Sequence, residues 1–440
     1  MVEIGRSKFL VDCGLFQGPK QLRTLNWEDF LGAAKIDAVF LTHAHIDHTG
    51  FLPRLFKSGF KGPIYCSQAT ADLCQFMLLD AAYLQEEDAR YANKSRHSKH
   101  YPALALFTKE DAEAVLRLFR SIPDNEWINV AQDVSVRLQR SGHLLGSRFV
   151  QLNIGGNRNY ICTFSGDLGH DLSHIIKGPV SISQTDALVL ESTYGDRSYE
   201  RVDPFSAIED LVLKVYNRDG VLVIPAFAVG RTQEMLFVIG ELKREKRIPN
   251  IKVYIDSPMA LHATKTYKEH VSELKPIISG DDVVDPFHFA DFEPVCSTDD
   301  SMLLCMQDGP FIVISASGML SGGRVMHHLK HRLPDPKNAI LFVGYQAKET
   351  KGRLLQEGIK TLRIHHVEVP VEAEICTMDS LSAHANTPET INWLRGFIHP
   401  IKHIFLNHGE PAALEALSQC IKRELGWETK IPILGQSFEI

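Results

Sequence analysis

Up to about residue 190, hydrophobic positions come in short bursts separated by glycine, proline and small polar residues. Runs at 9–11, 38–41, 64–66, 134–138, 149–154, 160–164 and 186–190 are too brief for helices and rich in β-branched and aromatic residues, so they read as strands. Between them, 51–60 is short and helical. Ser67 is placed to cap a helix running through 79 towards 87, and Thr108 with Asp111 three positions on opens another in capping-box style. The polar stretch 93–101 reads as a loop, and Gly155-Gly156 as a tight turn closing a hairpin.

From about Tyr194 the pattern changes. Helical 205–217, 231–243, 258–274 and 325–333 alternate with strand-like 221–224, 251–255, 311–315 and 339–343. Strands alternating with helices imply a largely parallel sheet, hence a second α/β domain. After it, Thr387-Pro388 opens a helix, proline being favoured in the first turn, and 404–406 is again strand-like. Polar residues of ligand type reappear there. The expected organisation is therefore one domain built from 1–195 and 377–440, interrupted by a second at 196–376.

Composition narrows the class. With 440 residues, 44% of them hydrophobic, the chain can bury a large core over two or three domains. No apolar run approaches the ~18 residues that cross a bilayer. The start, MVEIGRSKF, has no secretory core, so a cytoplasmic protein is expected. Eight scattered cysteines without a CxxC pair read as reduced thiols. A net charge of −7 argues against a generally basic nucleic-acid binder. A polyanion would need a local patch, such as Arg90, Lys94, Arg96 and Lys99, or the stretch 243–247.

The chemistry concentrates in THAHIDHTG, residues 42–50, where His43, His45, Asp47 and His48 fall within six positions directly after a buried strand. If that strand persists to His45, side chains two apart share a face and both rings can address one ion. Asp47 and His48 are adjacent, so the backbone must turn for both to reach one point, with Gly50 close enough to help. Two ring nitrogens suit a borderline metal such as zinc. A carboxylate with another imidazole suits a second, more oxygen-loving position, and a dinuclear site follows.

On these residues the chain resembles the metallo-β-lactamase superfamily, whose HxHxDH signature it carries. IPAFAVGRTQEM (224–235), SAHAN (382–386) and NHGE (407–410) resemble hallmarks of its β-CASP RNA-processing nucleases, in a compact bacterial form. The resemblance implies an αββα metallo-β-lactamase sandwich with an inserted α/β β-CASP cap, nucleic acid entering between the two. It implies that His143 joins His43 and His45 on one ion, that Asp47, His48 and His408 hold the other, and that Asp167 bridges them. Asp12 would orient the histidine cluster rather than bind metal. Glu191 and His384 fall on the family's acidic and middle-histidine positions, His384 as the acid for the leaving group and Glu191 as its support. Asp47 is counted with these catalytic groups as well as with the ligands. Two departures stand out. Asn386 occupies a position where relatives often carry Asp. The chain also begins close to the return strand of the usual first hairpin, so a missing first strand would leave an unpaired sheet edge.

The expected function is a zinc-dependent ribonuclease with two zinc ions, hydrolysing single-stranded RNA by a hydroxide held between the metals. The net positive charge of such a centre favours an anionic phosphodiester over a neutral ester. Phosphate contacts are expected from the Gly/Ser segment after strand 311–315, through Ser315, Ser317 and Arg324, and from Arg231 and Arg353. A DNA-directed nuclease of the same fold and an inactive RNA-binding scaffold are the alternatives. RNA over DNA rests on resemblance alone. No membrane partner is expected, and a homodimer is admitted without being required.

Overall fold

The computed structural model describes all residues except 19, 96–100, 156–158, 199–202, 280–281 and 288–290. It divides into two compact units, one of Met1–Leu172, Gly178–Tyr199 and His384–Ile440, the other of Ser173–Lys177 and Glu200–Ala383.

The first unit is built on two sheets. One runs in the order Val2–Ile4, Ser7–Val11, Ala38–Phe40, Ile64–Cys66, Phe119–Ser121. The other runs His403–Asn407, Ala187–Glu191, Tyr160–Phe164, Arg148–Ile154, Val134–Arg140, Ile128–Ala131. Phe9, Ala38 and Phe40 of the first sheet pack with Val136, Leu138, Val150, Leu152 and Ala187 of the second, so one apolar layer lies between the sheets. Period-two alternation sends the other side chains outward, where helices cover them. On the second sheet's outer face, Leu188 and Leu190 meet Ile391, Leu394, Leu417 and Ile421 from helices Thr387–Leu394 and Pro411–Leu425. Helices Leu52–Lys57, Gln68–Ser95 and Lys109–Leu116 belong to the first sheet's side of the chain order. The result is an αββα metallo-β-lactamase sandwich.

The second unit holds a parallel six-stranded sheet, ordered Glu293–Pro294, Lys252–Asp256, Phe311–Ser315, Val221–Pro225, Ala339–Phe342, Glu374–Thr377. Val221–Pro225 and Phe311–Ser315 are buried at every position, as a parallel strand covered on both faces must be.

Several expectations change. Val2–Ile4 pairs antiparallel with Ser7–Val11 through a turn at Gly5, whose φ is +59°, so the edge expected to be unpaired is covered. The strand before the histidine cluster stops at Phe40 and does not persist to His45. Helix Gln68–Ser95 runs past 87 through residues expected to form a loop. Arg96, Lys99 and Gly156 lie outside the described residues. The hairpin Thr361–Ile364 with Val367–Pro370, and strand Glu374–Thr377, were not foreseen; their isolated apolar residues alternate too briefly to register. The Thr108–Asp111 capping box forms as expected. Among the described residues no helix is long and apolar enough to cross a membrane.

Phe40, fully buried, rests against Phe9 at 5.6 Å and Tyr65 at 5.7 Å between ring centroids, directly upstream of the histidine cluster. Phe40→Ala is expected to cost about 3–5 kcal/mol, read as a lowered urea midpoint at unchanged slope. A midpoint within error of the parent would remove Phe40 from the core.

Candidate metal centre

Beyond Phe40 the chain crosses Thr42 in a non-strand conformation and enters the one-turn helix Ile46–Thr49. Thr49 stitches that turn by donating its hydroxyl to the Ala44 and His45 carbonyls. This tight reversal lets adjacent Asp47 and His48 address one point. Residues 13–15 run alongside, with Cys13 N–H donating to the His48 carbonyl at 2.7 Å and Leu15 N–H to that of Ile46 at 3.0 Å. A Cβ on Gly14 would fall 1.5 Å from the Asp47 carbonyl oxygen, so only glycine permits this approach.

Two groups of ligand-type atoms result, both within the first unit. In one, His43 Nε2 lies 3.1 Å from His45 Nδ1 and 3.4 Å from Asp167 Oδ2, and His143 Nε2 lies 3.4 Å from each of the same two partners. In the other, His48 Nε2 is 3.2 Å from His408 Nε2 and 3.2 Å from Asp167 Oδ1, and His408 Nε2 is 3.5 Å from Asp47 Oδ2. A tetrahedron with such edges has each corner about 2 Å from its centre, the length of a zinc–nitrogen bond. Asp167 places one oxygen in each group.

At three of the rings a neighbouring side chain occupies Nδ1 and turns Nε2 towards the other ligand-type atoms. Thr42 donates its hydroxyl to Asp12 Oδ2 at 2.8 Å, and an ionised carboxylate can only accept. The Thr42 oxygen, 3.0 Å from His43 Nδ1, therefore accepts from that ring and leaves Nε2 with its lone pair. Asp12 also accepts from His48 Nδ1 at 2.7 Å and from the Thr42 N–H at 2.7 Å, turning His48 Nε2 inward. At His408 the same logic recurs. Thr193 donates to the His408 carbonyl at 3.1 Å and accepts from its Nδ1 at 3.2 Å. Neither threonine was singled out from sequence, although Thr42 stands immediately before the HxHxDH run and Thr193 two residues after Glu191.

The electrostatics are those of a site built for cations. Burial works to raise Asp167, but the imidazoles of His408, His48, His43 and His143 outweigh it and hold the carboxyl well below its usual range. Burial and the neighbouring His43 push His45 down to about 3, and burial likewise lowers His43 and His143. His408 goes the other way: burial opposes protonation, yet Asp167 and Asp47 carry it up to about 9. Asp167 Oδ1 and His143 Nδ1 are buried without a hydrogen-bond partner among the described residues.

Beside these groups, Glu191 accepts from the Leu168 and Thr193 N–H groups at 2.8 and 2.9 Å and from His384 Nδ1 at 2.9 Å. His384 Nε2 thus points away from Glu191, 3.9 Å from Asp167 Oδ2. Asn386 caps helix Thr387–Leu394 reciprocally with Glu389, so an amide meets the need of this loop.

The residues expected to grip phosphate belong to the second unit, and the structure corrects two of them. Ser315 is 1% exposed and donates its hydroxyl to the Asp256 carbonyl. Arg324 is bound to Asp256 Oδ1 at 2.8 Å and to the Val295 and Cys296 carbonyls, because a buried carboxylate at a strand end needs a partner more than a surface phosphate does. Arg353 pairs with Glu357 one helical turn on, at 2.9 Å. Ser317 accepts from the Ser321 N–H within its own loop, and Arg231 begins helix Arg231–Arg244.

Fold and site together define a metallo-hydrolase of the metallo-β-lactamase type. Comparison with known families agrees: residues 1–146 match the metallo-β-lactamase superfamily, 232–355 the Beta-Casp domain, and 368–432 the Zn-dependent metallo-hydrolase RNA specificity domain. The chain is 34% identical to a ribonuclease of Thermus thermophilus over 99% of its own length and 95% of that protein. It is 31% identical to the transcription termination factor FttA of Methanocaldococcus jannaschii, over 98% of this chain and 69% of that one. To the FttA of Methanosarcina mazei it is 30% identical, over 97% and 68%. The chain belongs to the β-CASP family of the metallo-β-lactamase superfamily.

If Thr42 sets the His43 tautomer, Thr42→Val should weaken metal binding about 10- to 100-fold in competition with a chromophoric chelator, at unchanged circular dichroism. Parental affinity would remove the hydroxyl from this role.

Proposed function

We propose that this chain is a zinc-dependent ribonuclease that hydrolyses phosphodiester bonds of single-stranded RNA. His43, His45 and His143 would hold one zinc ion and Asp47, His48 and His408 a second, with Asp167 offering an oxygen to each group. The observation that carries this reading is the division of Asp167, whose two carboxylate oxygens lie 3.4 Å and 3.2 Å from ligand nitrogens of two different groups. The ribonuclease name of the Thermus thermophilus relative and the RNA specificity domain match support RNA as the polymer.

Two divalent cations, when bound, lower the pKa of water towards about 7 and offset the charge of a phosphodiester. The residues do the rest. Asp167 and Asp47 enter ionised and need lose no proton before binding a cation. Three histidines with lowered pKa values arrive neutral, as ligation requires. Cleavage also needs a proton for the departing sugar oxygen. His384 supplies it: burial opposes its charge, but Glu191 and Asp167 prevail and raise its pKa above the ordinary imidazole value. With Nδ1–H fixed on Glu191, the mobile proton sits on Nε2, facing the Asp167 side. Such a general acid is worth roughly 10² to 10⁴ in rate.

Metal analysis should find two zinc ions per chain, and less than one after His408→Ala. Labelled single-stranded RNA should be cut, matched DNA should survive, and chelator should abolish cleavage. Equal cutting of DNA would overturn the choice of polymer, and cleavage surviving metal removal would overturn the chemistry.

His384→Ala should keep both metals and lose about 10²- to 10⁴-fold in rate. Because the folded pKa is raised above the ordinary imidazole value, the acid stays protonated to a higher pH than a free imidazole would, and the parent's rate should fall as pH climbs through that pKa. That fall should vanish in the variant. Lost zinc would make His384 a ligand instead.

A further inference from the structure

We infer that Phe16 and Trp27 form a stacking platform for unpaired bases of the single strand, immediately beside the metal-binding turn. The inference rests on the nuclease reading above and adds to it how the strand is held. Phe16 follows the segment in which Gly14 abuts the Asp47 backbone and Leu15 N–H bonds the Ile46 carbonyl, so it leaves the metal turn directly. Asn26, only 8% exposed, clamps the Phe16 backbone from both sides, donating to its carbonyl and accepting from its N–H at 2.9 Å each. That clamp brings Trp27, the next residue, to the same place. Arg54 fixes the far side through Asp29 at 2.8 Å.

Both rings remain open. Phe16 is 37% and Trp27 52% exposed, and neither rests on another ring or under a cation among the described residues. Leaving large aromatic surfaces in water has a cost that a purely structural role does not explain, since the backbone clamp at Phe16 works through main-chain atoms alone. The intervening helix Lys20–Leu25 buries none of its residues and carries Lys20 and Arg23, which have no carboxylate partner among the described residues. On this stretch Asp29 is held by Arg54, leaving Glu28 against those two cations. Exposed aromatic faces beside free cations are what single-stranded nucleic acid requires: bases stack on the rings in any sequence, and the cations follow the phosphates. In a chain of net charge −7 such a local excess matters more than the total.

The test is steady-state cleavage of a short unstructured RNA by the parent, Phe16→Ala, Trp27→Ala, Phe16→Trp and, as a control from the same surface, Leu31→Ala. Stacking predicts that each aromatic-to-alanine change raises KM about tenfold. It also predicts kcat within about twofold, unchanged zinc content, near-parental KM for Phe16→Trp, and no change for Leu31→Ala. Parental KM in both alanine variants, while the parent cleaves RNA, overturns the platform and leaves the nuclease reading standing. A fall in kcat with loss of zinc overturns it too, making these residues supports of the metal turn. A parent that neither binds nor cleaves RNA overturns both.

Discussion

Imidazoles and carboxylates gathered away from water, with their ligand-type atoms turned towards one another, are the constraint on which this structure depends. His43 and His45 aim ring nitrogens together at 3.1 Å, and His48 and His408 do so at 3.2 Å. A donor on the neighbouring threonine forces the inward nitrogen of His43 to carry an electron pair rather than a proton, whereas Asp167 and Asp47 favour the protonated form of His408. Gathering these groups is costly by itself, because burial strips them of the water that would solvate them. It becomes favourable when electrophiles of about zinc's radius occupy the two centres.

The fold supplies that geometry because groups of the site sit where strands end. Asp12, Asp167, Glu191 and His408 each lie at or just beyond the carboxyl end of a strand, and the parallel pairs Val11 with Phe40 and Glu191 with Asn407 hold those ends level. One strand pairing thus fixes the relative height of groups hundreds of positions apart in sequence. In the second unit the same device serves structure instead. Asp256, at the end of Lys252–Asp256, is fully buried and gathers Arg324, His328 and Ser301, tying one helix start to the sheet. A carboxylate at a strand end is therefore a site in one sheet and a fastener in the other.

This difference explains what was readable beforehand. The seven ligand candidates were legible because imidazoles and carboxylates at strand ends have few structural uses in such density, and all seven meet in the first unit. The long apolar strands were legible for the same reason of contrast. Ser315 and Arg324 were misjudged because a Gly/Ser loop followed by arginine looks the same whether its partner is a phosphate or a buried aspartate, and Asp256 lies about sixty positions upstream. Thr42 and Thr193 were missed because a threonine near a strand end is ordinary until the direction of its hydroxyl is known. The strand Val2–Ile4 was overlooked for its brevity, and the turn after Phe40 because strand and one-turn helix both bring alternate rings together.

The most direct measurement of the central claim is zinc-edge X-ray absorption on the purified chain. Two zinc ions coordinated by nitrogen and oxygen alone are expected, with a metal–metal scattering path at about 3.5–4 Å. A single zinc without that path, or sulfur among its neighbours, would contradict that claim.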